Sequence, residues 1–413
     1  MGKGKYGMNK TTKCRVCGGE TSMVQSLGSL YPSTFIKSSE EYDNLKKEFL
    51  DLIQCEDCGL IQLDKTIELD GMYRQYWYRS GLNKSMVNDL KNVSESVLKI
   101  HNYGKTILDI GCNDGTLFKF FPDNYFKIGI DPAYNLIENA EKNCDIFIND
   151  YFKAEYIDRK IDIITSIAMF YDLPDPNSFV SDIHDILKFD GVWVIQFTDL
   201  YSMLKLNAFD NICFEHLELY TLLDVIILLK KCSLEVFNAE TNDVNGGSLR
   251  IYVGHYGQHE ISPSVLYTLV NESSFLRSKD GSINAFRERI KNIKRTVVNF
   301  IKEETKNGKV IYGMGASTKG NTLLQYFRLD NELIKYIAEI NEDKFGLYTV
   351  GSNIEIISEE QALKDNPDYL FCLPWHFEGN FVTKLKDYLN KGGKLIFPLP
   401  IPKIIDRTGA KYL

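Results

Sequence analysis

A chain of 413 residues, 44% hydrophobic and 25% charged, has the composition of a globular protein with room for two or three domains. Its 56 acidic against 48 basic residues give a net charge of -8, which disfavours nucleic acid as a main partner. No apolar run reaches membrane-spanning length, since residues 222–229 are few and carry Asp224, and the lysine-bearing N-terminus lacks the apolar stretch of a signal peptide.

In chain order the first signal is a pair of matching knuckles, Cys14-Arg15-Val16-Cys17-Gly18 and Cys55-Glu56-Asp57-Cys58-Gly59. Each glycine permits the tight turn that aims backbone amides at the thiolates. Four thiolates around one ion make a closed tetrahedral shell, which suits structural zinc and leaves no open position for chemistry. Redox dithiols are the alternative reading, and a nucleic-acid zinc ribbon fits the acidic charge poorly. The other five of the nine cysteines are scattered, as expected of a reduced, cytoplasmic protein. Residues 20–54 must fold as an insertion between the knuckles. Residues 72–81 (MYRQYWYRSG) follow, dense in aromatics and arginine. Their rings suit a sulfonium and their phenols an oxyanion, or else they pack one domain on the next. A helix from about residue 80 or 83 to 101 comes after them, with Met86, Val87, Leu90, Val93, Val97 and Leu98 roughly on one face.

The chain is organised around residues 106–117 (TILDIGCNDGTL), which read as a buried strand, a glycine turn and a helix start. Gly111 allows a tight turn and close approach of a ligand. Amides past Gly115 would face that ligand. A second strand ends in Asp131, placed to accept the two hydroxyls of a ribose. The turn lacks the three glycines of the dinucleotide fingerprint. Its D-x-G-x-x-x-G form, Asp109 to Gly115, is common in methyltransferases that use S-adenosylmethionine, whose ammonium suits Asp109. Asn113 lies within that loop, and Asp150, after a third strand, stands where such folds often meet the adenine amine. A helix over 136–143 and strands at 146–150, 161–166 and 191–197 complete a βαβ alternation, hence a mostly parallel sheet with helices on both faces.

Residues 209–220 (FDNICFEHLELY) come after that sheet's last parallel strand. His216 is a candidate proton acceptor, with Glu215 to orient it and stabilise its cation. A surface Glu-His pair opening a helix at Leu217 is the plainer alternative. Residues 233–237 and 248–253 read as closing strands joined by the turn Asn245-Gly246-Gly247. Residues 263–306 read as helical. Residues 310–322 (VIYGMGASTKGNT) repeat the strand, glycine turn and helix start, and amides there with Lys319 make a diphosphate site, against the alternative of a capping loop with a solvated lysine. Further strands are expected at 334–339, 369–373 and 393–397.

Together the paired CxxC knuckles, the aromatic stretch, the LDIGCNDGTL loop with Phe-Glu-His-Leu, and YGMGASTKGNTLL resemble the sugar C-methyltransferases of deoxysugar and surface-polysaccharide pathways, over nearly the whole chain. The resemblance implies an α/β protein. A zinc-binding domain (1–75) precedes a Rossmann-like S-adenosylmethionine domain (76–262), a helical connector (263–306) and a C-terminal Rossmann-like domain (307–413). It implies a nucleotide-linked 4-keto-6-deoxy sugar methylated at C3, with His216 as base, Glu215 in support and Tyr76 in the active site. Ser317, Lys319 and Asn321 would hold the sugar nucleotide. The chain departs at Cys213, where well-studied members carry a tyrosine. Oxygen methylation of a sugar hydroxyl and a non-catalytic module that binds S-adenosylmethionine are the competing functions. Nothing in the sequence specifies an oligomer.

Overall fold

The computed structural model describes residues 7–37, 41 and 45–413. Its centre is a seven-stranded sheet in the order Leu234–Asn242, Ser248–His255, Leu187–Phe197, Ile161–Ile167, Thr106–Ile110, Phe126–Ile130, Ile146–Ile148. The last five are mutually parallel, Ser248–His255 runs antiparallel to both its neighbours, and Leu234–Asn242 at the edge therefore has the direction of the five. Both faces are covered, which explains the unbroken apolar runs. Ile107, Ile163, Val192 and Val194 pack with the helix Lys84–Ile100, while Leu108, Ile164, Trp193 and Ile195 pack with the helices Pro176–Ile186 and Leu222–Lys230. Neighbouring residues of one strand thus serve opposite layers.

The C-terminal sheet has nine strands, with a parallel centre of Lys394–Phe397, Tyr369–Cys372, Ile311–Met314, Tyr336–Glu339 and Glu355–Ser358. The helices Pro263–Leu276 and Ile283–Lys306 lead into it, and the second buries Phe286, Ile290, Ile293, Val297 and Ile301 along one stripe.

Two short strands stitch distant parts together. Phe35–Ile36, from the insertion between the knuckles, pairs with Tyr348–Thr349 at the edge of the C-terminal sheet. Glu218–Leu219, just after His216, is the fourth strand of the N-terminal antiparallel sheet, beside Ile61–Leu63. The largest core accordingly joins residues of the N-terminal sheet, of 200–219 and of the C-terminal sheet.

Three local expectations are corrected. The helix expected at Leu217 begins at Leu222, behind the strand Glu218–Leu219, with Thr221 and Asp224 closing a capping box. Past Gly115 the chain makes only a 3-10 turn, Thr116–Phe120. The helix expected over 136–143 shrinks to Ile137–Ala140 behind the turn Tyr134–Leu136. No helix among the described residues is long and apolar enough to cross a membrane.

Candidate active site

The carboxyl ends of the central strands, the start of the C-terminal domain and residues 73–85 enclose one cavity of about 1460 Å³. At its first end Asp109, Gly111, Asn113, Asp131 and Asp150 all line the wall. Gly111 has φ +74°, and a Cβ there would sit 3.1 Å from Met169 Cγ, so only glycine serves. Asp109 is buried, accepts the Thr165 hydroxyl at 2.6 Å, and is pushed up to about 7 by burial. Asp131 accepts the Asn113 and Ala133 amides at 2.8 and 2.9 Å, which fixes its carboxylate at the end of its strand. Asp150 is bound by Arg74 (3.0 Å) and Tyr156 (2.9 Å), which hold it below the usual range against the opposing effect of partial burial. Gly115, with φ +72° and packed against Ala140 and Asn143, is not part of the wall; of the residues just beyond it, Leu117 lines the cavity.

Residues 73–81 form a strap across the cavity. Asn113 accepts the Ser80 amide (2.9 Å) and donates to the Tyr78 carbonyl (3.0 Å). Asp114 accepts the Gly81 amide (2.8 Å), and Asn135 grips Tyr76 through both backbone groups (3.0 and 2.9 Å). On the other bank Asn341 donates to the Trp77 carbonyl (3.1 Å) and Arg79 pairs with Asp343 (2.6 Å). Tyr76 and Tyr73 line the cavity beneath, and burial raises both phenols well above their ordinary value.

His216 and Glu215 stand in the same cavity at 7% and 5% exposure, which removes the surface-pair reading. The His216 ring packs on Tyr171 (4.2 Å between centroids), and its Nδ1 is 2.8 Å from the Asn211 carbonyl. That carbonyl can only accept, so Nδ1 carries the proton and Nε2 the lone pair. Burial and the Lys319 ammonium lower His216 to about 3. The expected support from Glu215 takes another form: the Asn211 carbonyl orients the ring. Glu215 Oε1 has no hydrogen-bond partner among the described residues, and burial raises this carboxyl to about 7 against the pull of Lys319. Lys319 donates to the Asn245 carbonyl (3.4 Å), and its charge acts on Asp210, Cys213, Glu215 and Asp172. It stands at this crowded end of the cavity, away from a solvated surface. Cys213, Glu215 and His216 each bring one ligand-type atom within 4.8 Å of the others.

At the second glycine loop, Ser317 lines the cavity and caps the helix Thr318–Phe327 by accepting the Gly320 amide (3.0 Å). Asn321 is elsewhere: it is buried outside the cavity and donates to the Thr34 carbonyl (3.0 Å), pinning the N-terminal insertion. Glu339, at the end of the next strand, accepts the Ala316, Ile340 and Asn341 amides. Sequence reasoning passed over Glu339, although an acid closing a strand after a glycine turn is the pattern used for Asp131. It also missed Asp172, Asp210 and His376, which line the wall from loops or short 3-10 turns, where no periodic signal exists.

Cys14, Cys17, Cys55 and Cys58 converge at the N-terminal end of the molecule. The Cys14–Cys58 and Cys17–Cys55 sulfurs are 3.6 and 3.4 Å apart, near the spacing of about 3.7 Å that tetrahedral zinc–sulfur bonds of about 2.3 Å require. Amides of Cys17, Gly19 and Cys58 point at the sulfurs, so the donor set fits a zinc ion.

A parallel sheet with a single reversed strand, next to one edge, a glycine turn and an acid at the next strand end define the class: a methyltransferase dependent on S-adenosylmethionine. The family described as Methyltransferase domain matches residues 82–237, and that described as C-methyltransferase C-terminal domain matches residues 243–400. The C-methyltransferase NovU of Streptomyces niveus is 28% identical over 95% of this chain and 96% of its own length. A ubiquinone biosynthesis O-methyltransferase of Glaesserella parasuis is 32% identical over 22% of this chain and 45% of its own. The solved S-adenosylmethionine-dependent methyltransferase from Clostridium acetobutylicum aligns with 41% of this chain and 92% of its own, at 13% identity and a TM-score of 0.35. The chain is thus an S-adenosylmethionine-dependent methyltransferase, similar over nearly its whole length to a C-methyltransferase.

Proposed function

We propose that this enzyme methylates C3, the carbon next to the ketone, of a nucleotide-linked 4-keto-6-deoxy sugar, in deoxysugar or surface-polysaccharide biosynthesis and in the cytoplasm. The observation that carries the reading is the Glu215–His216 pair, buried on the wall of the cavity that also takes in both glycine loops. S-adenosylmethionine, when bound, supplies an electrophilic methyl group. Asp109, Gly111, Asn113, Asp131 and Asp150 are the residues assigned to hold it, and the four knuckle cysteines are assigned to a structural zinc ion.

The chain's own work starts with the proton on the carbon beside the ketone. His216 Nε2 is the lone-pair nitrogen available to take it, and the Asn211 carbonyl stabilises the charge that the ring then gains. The enolate oxygen left behind needs a positive partner. The Lys319 ammonium, close enough to depress His216 and Glu215, supplies that partner with the Tyr76 phenol beside it. The rest is alignment of two bound molecules. Ser317 and the amides opening the helix Thr318–Phe327 are assigned to the phosphates.

One observation favours a second assignment within this reading. Glu215, raised to about 7 with Oε1 unpartnered, is matched to proton transfer near neutral pH. The pH profile separates the two. With His216 as base the rate is flat from about pH 5 upward; with Glu215 as base it rises through about pH 7, where the carboxylate ionises. The founding experiment incubates the protein with S-adenosylmethionine and a panel of nucleotide-linked 4-keto-6-deoxy sugars. Mass spectrometry follows gain of one methyl group, and His216→Ala and Glu215→Gln are the controls. A gain lost in one of them, with NMR placing the methyl on carbon, supports the proposal. A methyl on oxygen, or equal transfer to a carbonyl-free sugar, would move the assignment to an O-methyltransferase. Tight cofactor binding with no transfer to any sugar would leave the binding-module reading.

A further inference from the structure

Arg15 lies between two cysteines of the first knuckle, yet its side chain is only 3% exposed. It runs from the knuckle to the segment that follows His216. Its guanidinium donates to the Leu63 carbonyl (2.8 Å), the Lys65 carbonyl (3.1 Å), the Thr66 hydroxyl (2.9 Å) and the Leu217 carbonyl (3.4 Å). Its Nε faces Glu218 Oε1 at 3.5 Å, and Glu218 is fully buried. Leu217 carries a second tie to the same sheet, accepting the Leu63 amide at 2.8 Å, and Glu218 pairs in register with Gln62, whose side chain accepts the Arg15 amide at 2.8 Å. On its other side Leu217 donates to the carbonyl of Tyr171, the ring on which His216 packs. The knuckle is itself clamped to the methyltransferase layer, because Asn177 donates to the Arg15 carbonyl (2.6 Å) and Lys231 to the Val16 carbonyl.

We infer that Arg15 is a positioning residue: it transmits the fixed geometry of the cysteine knuckle to the Glu215–His216 segment through Leu217 and Glu218. The inference rests on the reading above in which that pair handles the proton. A metal ion held by Cys14 and Cys17 would fix the backbone on both sides of Arg15. A planar fork with several fixed acceptors then holds the residues next to the base. The knuckle is remote from the cavity, but its arginine is one residue removed from the acid–base pair, and misplacing such a pair by about 1 Å costs on the order of a hundredfold in rate.

The test compares Arg15→Met, Arg15→Lys and the double variant Arg15→Met/Glu218→Met, which removes both buried charges and so avoids an unpaired carboxylate. Zinc content, cofactor affinity, kcat, KM and the pH profile of kcat are measured, along with the His216 ring carbon resonance, identified by its loss in His216→Ala. The expected result is unchanged zinc and cofactor affinity, an unchanged KM, kcat lower by about tenfold or more in Arg15→Met and in the double variant with partial recovery in Arg15→Lys, and a moved His216 resonance. Full recovery of kcat and of the resonance in the double variant would make the pair a matter of charge burial and overturn the inference, as would loss of zinc or of the folded state in every variant. If transfer survives in both His216→Ala and Glu215→Gln, the functional reading fails instead, while the resonance still reports whether Arg15 holds the loop.

Discussion

The molecule contains the same device twice: a strand, a glycine turn with positive φ, and an acid at the end of the next parallel strand. In the first copy the set is Gly111 and Asp131; in the second it is Gly315 and Glu339. Both acids are buried and both accept backbone amides from their own loop. They differ in what else they face. Asp131 has no basic side chain against it among the described residues. Glu339 has Lys344, whose ammonium is 3.5 Å from its carboxylate and donates to the Ala316 carbonyl at 2.7 Å. The second copy therefore carries its own counter-ion, and its acid is spent inside the protein. It has a ten-residue helix after the turn, capped by Ser317, whereas the first copy has only a 3-10 turn. A ligand with an ammonium and a ribose wants the open acid, and a phosphate wants the helix start.

Removing Lys344 is the strongest way to break this contrast. Lys344→Met leaves Glu339 buried without a cation, and we expect about 3–5 kcal/mol of destabilisation, read by denaturant unfolding, with the double variant Lys344→Met/Glu339→Gln recovering most of it. Asp131 predicts the opposite balance. Asp131→Ala removes a charged acceptor from the cofactor end, so S-adenosylmethionine affinity should fall by about 10- to 100-fold by calorimetry, while Glu339→Gln leaves that affinity within about twofold. Equal loss in both variants would show that the two loops share one ligand.

Much of this contrast was out of reach of sequence alone. The strands were legible because Ile107, Leu108 and Ile110, and likewise Ile161, Ile163 and Ile164, are apolar on successive residues, as burial on both faces demands. The short helices were not. Residues 137–140 carry one buried residue, Ala140, so no stripe holds a longer helix in place. The last two strands are short: Lys403–Asp406 is mostly half-buried and Gly409–Tyr412, at the sheet edge, is fully exposed, so neither shows an alternation to detect. Glu218–Leu219 is a strand only because Ile61 and Gln62, more than 150 positions away in the chain, pair with it, and that same pairing buries the Glu-His pair that a local reading puts on the surface. The four cysteines were legible from spacing because their fold is local to each knuckle. The burial of Arg15 between them was not, since its partners Leu217 and Glu218 come from the other end of the central domain.

Asp109 sharpens the comparison by pH. Burial first, and Asp131 second, raise it from 3.8 to about 7, with the Thr165 hydroxyl opposing. In the free protein it is therefore protonated below about pH 7, and a cationic ligand group must displace that proton. Cofactor affinity should weaken by about tenfold per pH unit on going down from 7 and be level above 8, a slope that Asp109→Asn abolishes. The linkage for stability has the reverse sense. The folded state retains a proton that the unfolded chain releases near 3.8, so this group's stabilising contribution is complete below 3.8 and is lost as the pH rises through 7. The second loop offers no equivalent group, because Gly313 stands two residues before its turn glycine, Gly315, where Asp109 stands before Gly111.

The smallest effect concerns the strap that joins the two loops. Residues 73–81 hang from Asn113, Asp114 and Asn135 on the cofactor side and from Asn341 and Asp343 on the other. The cofactor-side ties reach backbone groups and are partly buried; the Arg79–Asp343 pair is half-exposed. Arg79→Ala should therefore change global stability by less than about 1 kcal/mol. Its consequence is local, since it removes one of two attachments to the C-terminal domain and leaves the other, Asn341 to Trp77, unaided. Hydrogen exchange at the amides of residues 77–80 should accelerate in Arg79→Ala, and again in Asn341→Ala, while the amides of the Thr106–Ile110 strand stay protected. If S-adenosylmethionine slows that exchange in the unmodified protein and a nucleotide-linked sugar slows it further, the strap is sensed from both loops. If only the cofactor does so, the strap belongs to the first loop, and its ties to the second serve to anchor it.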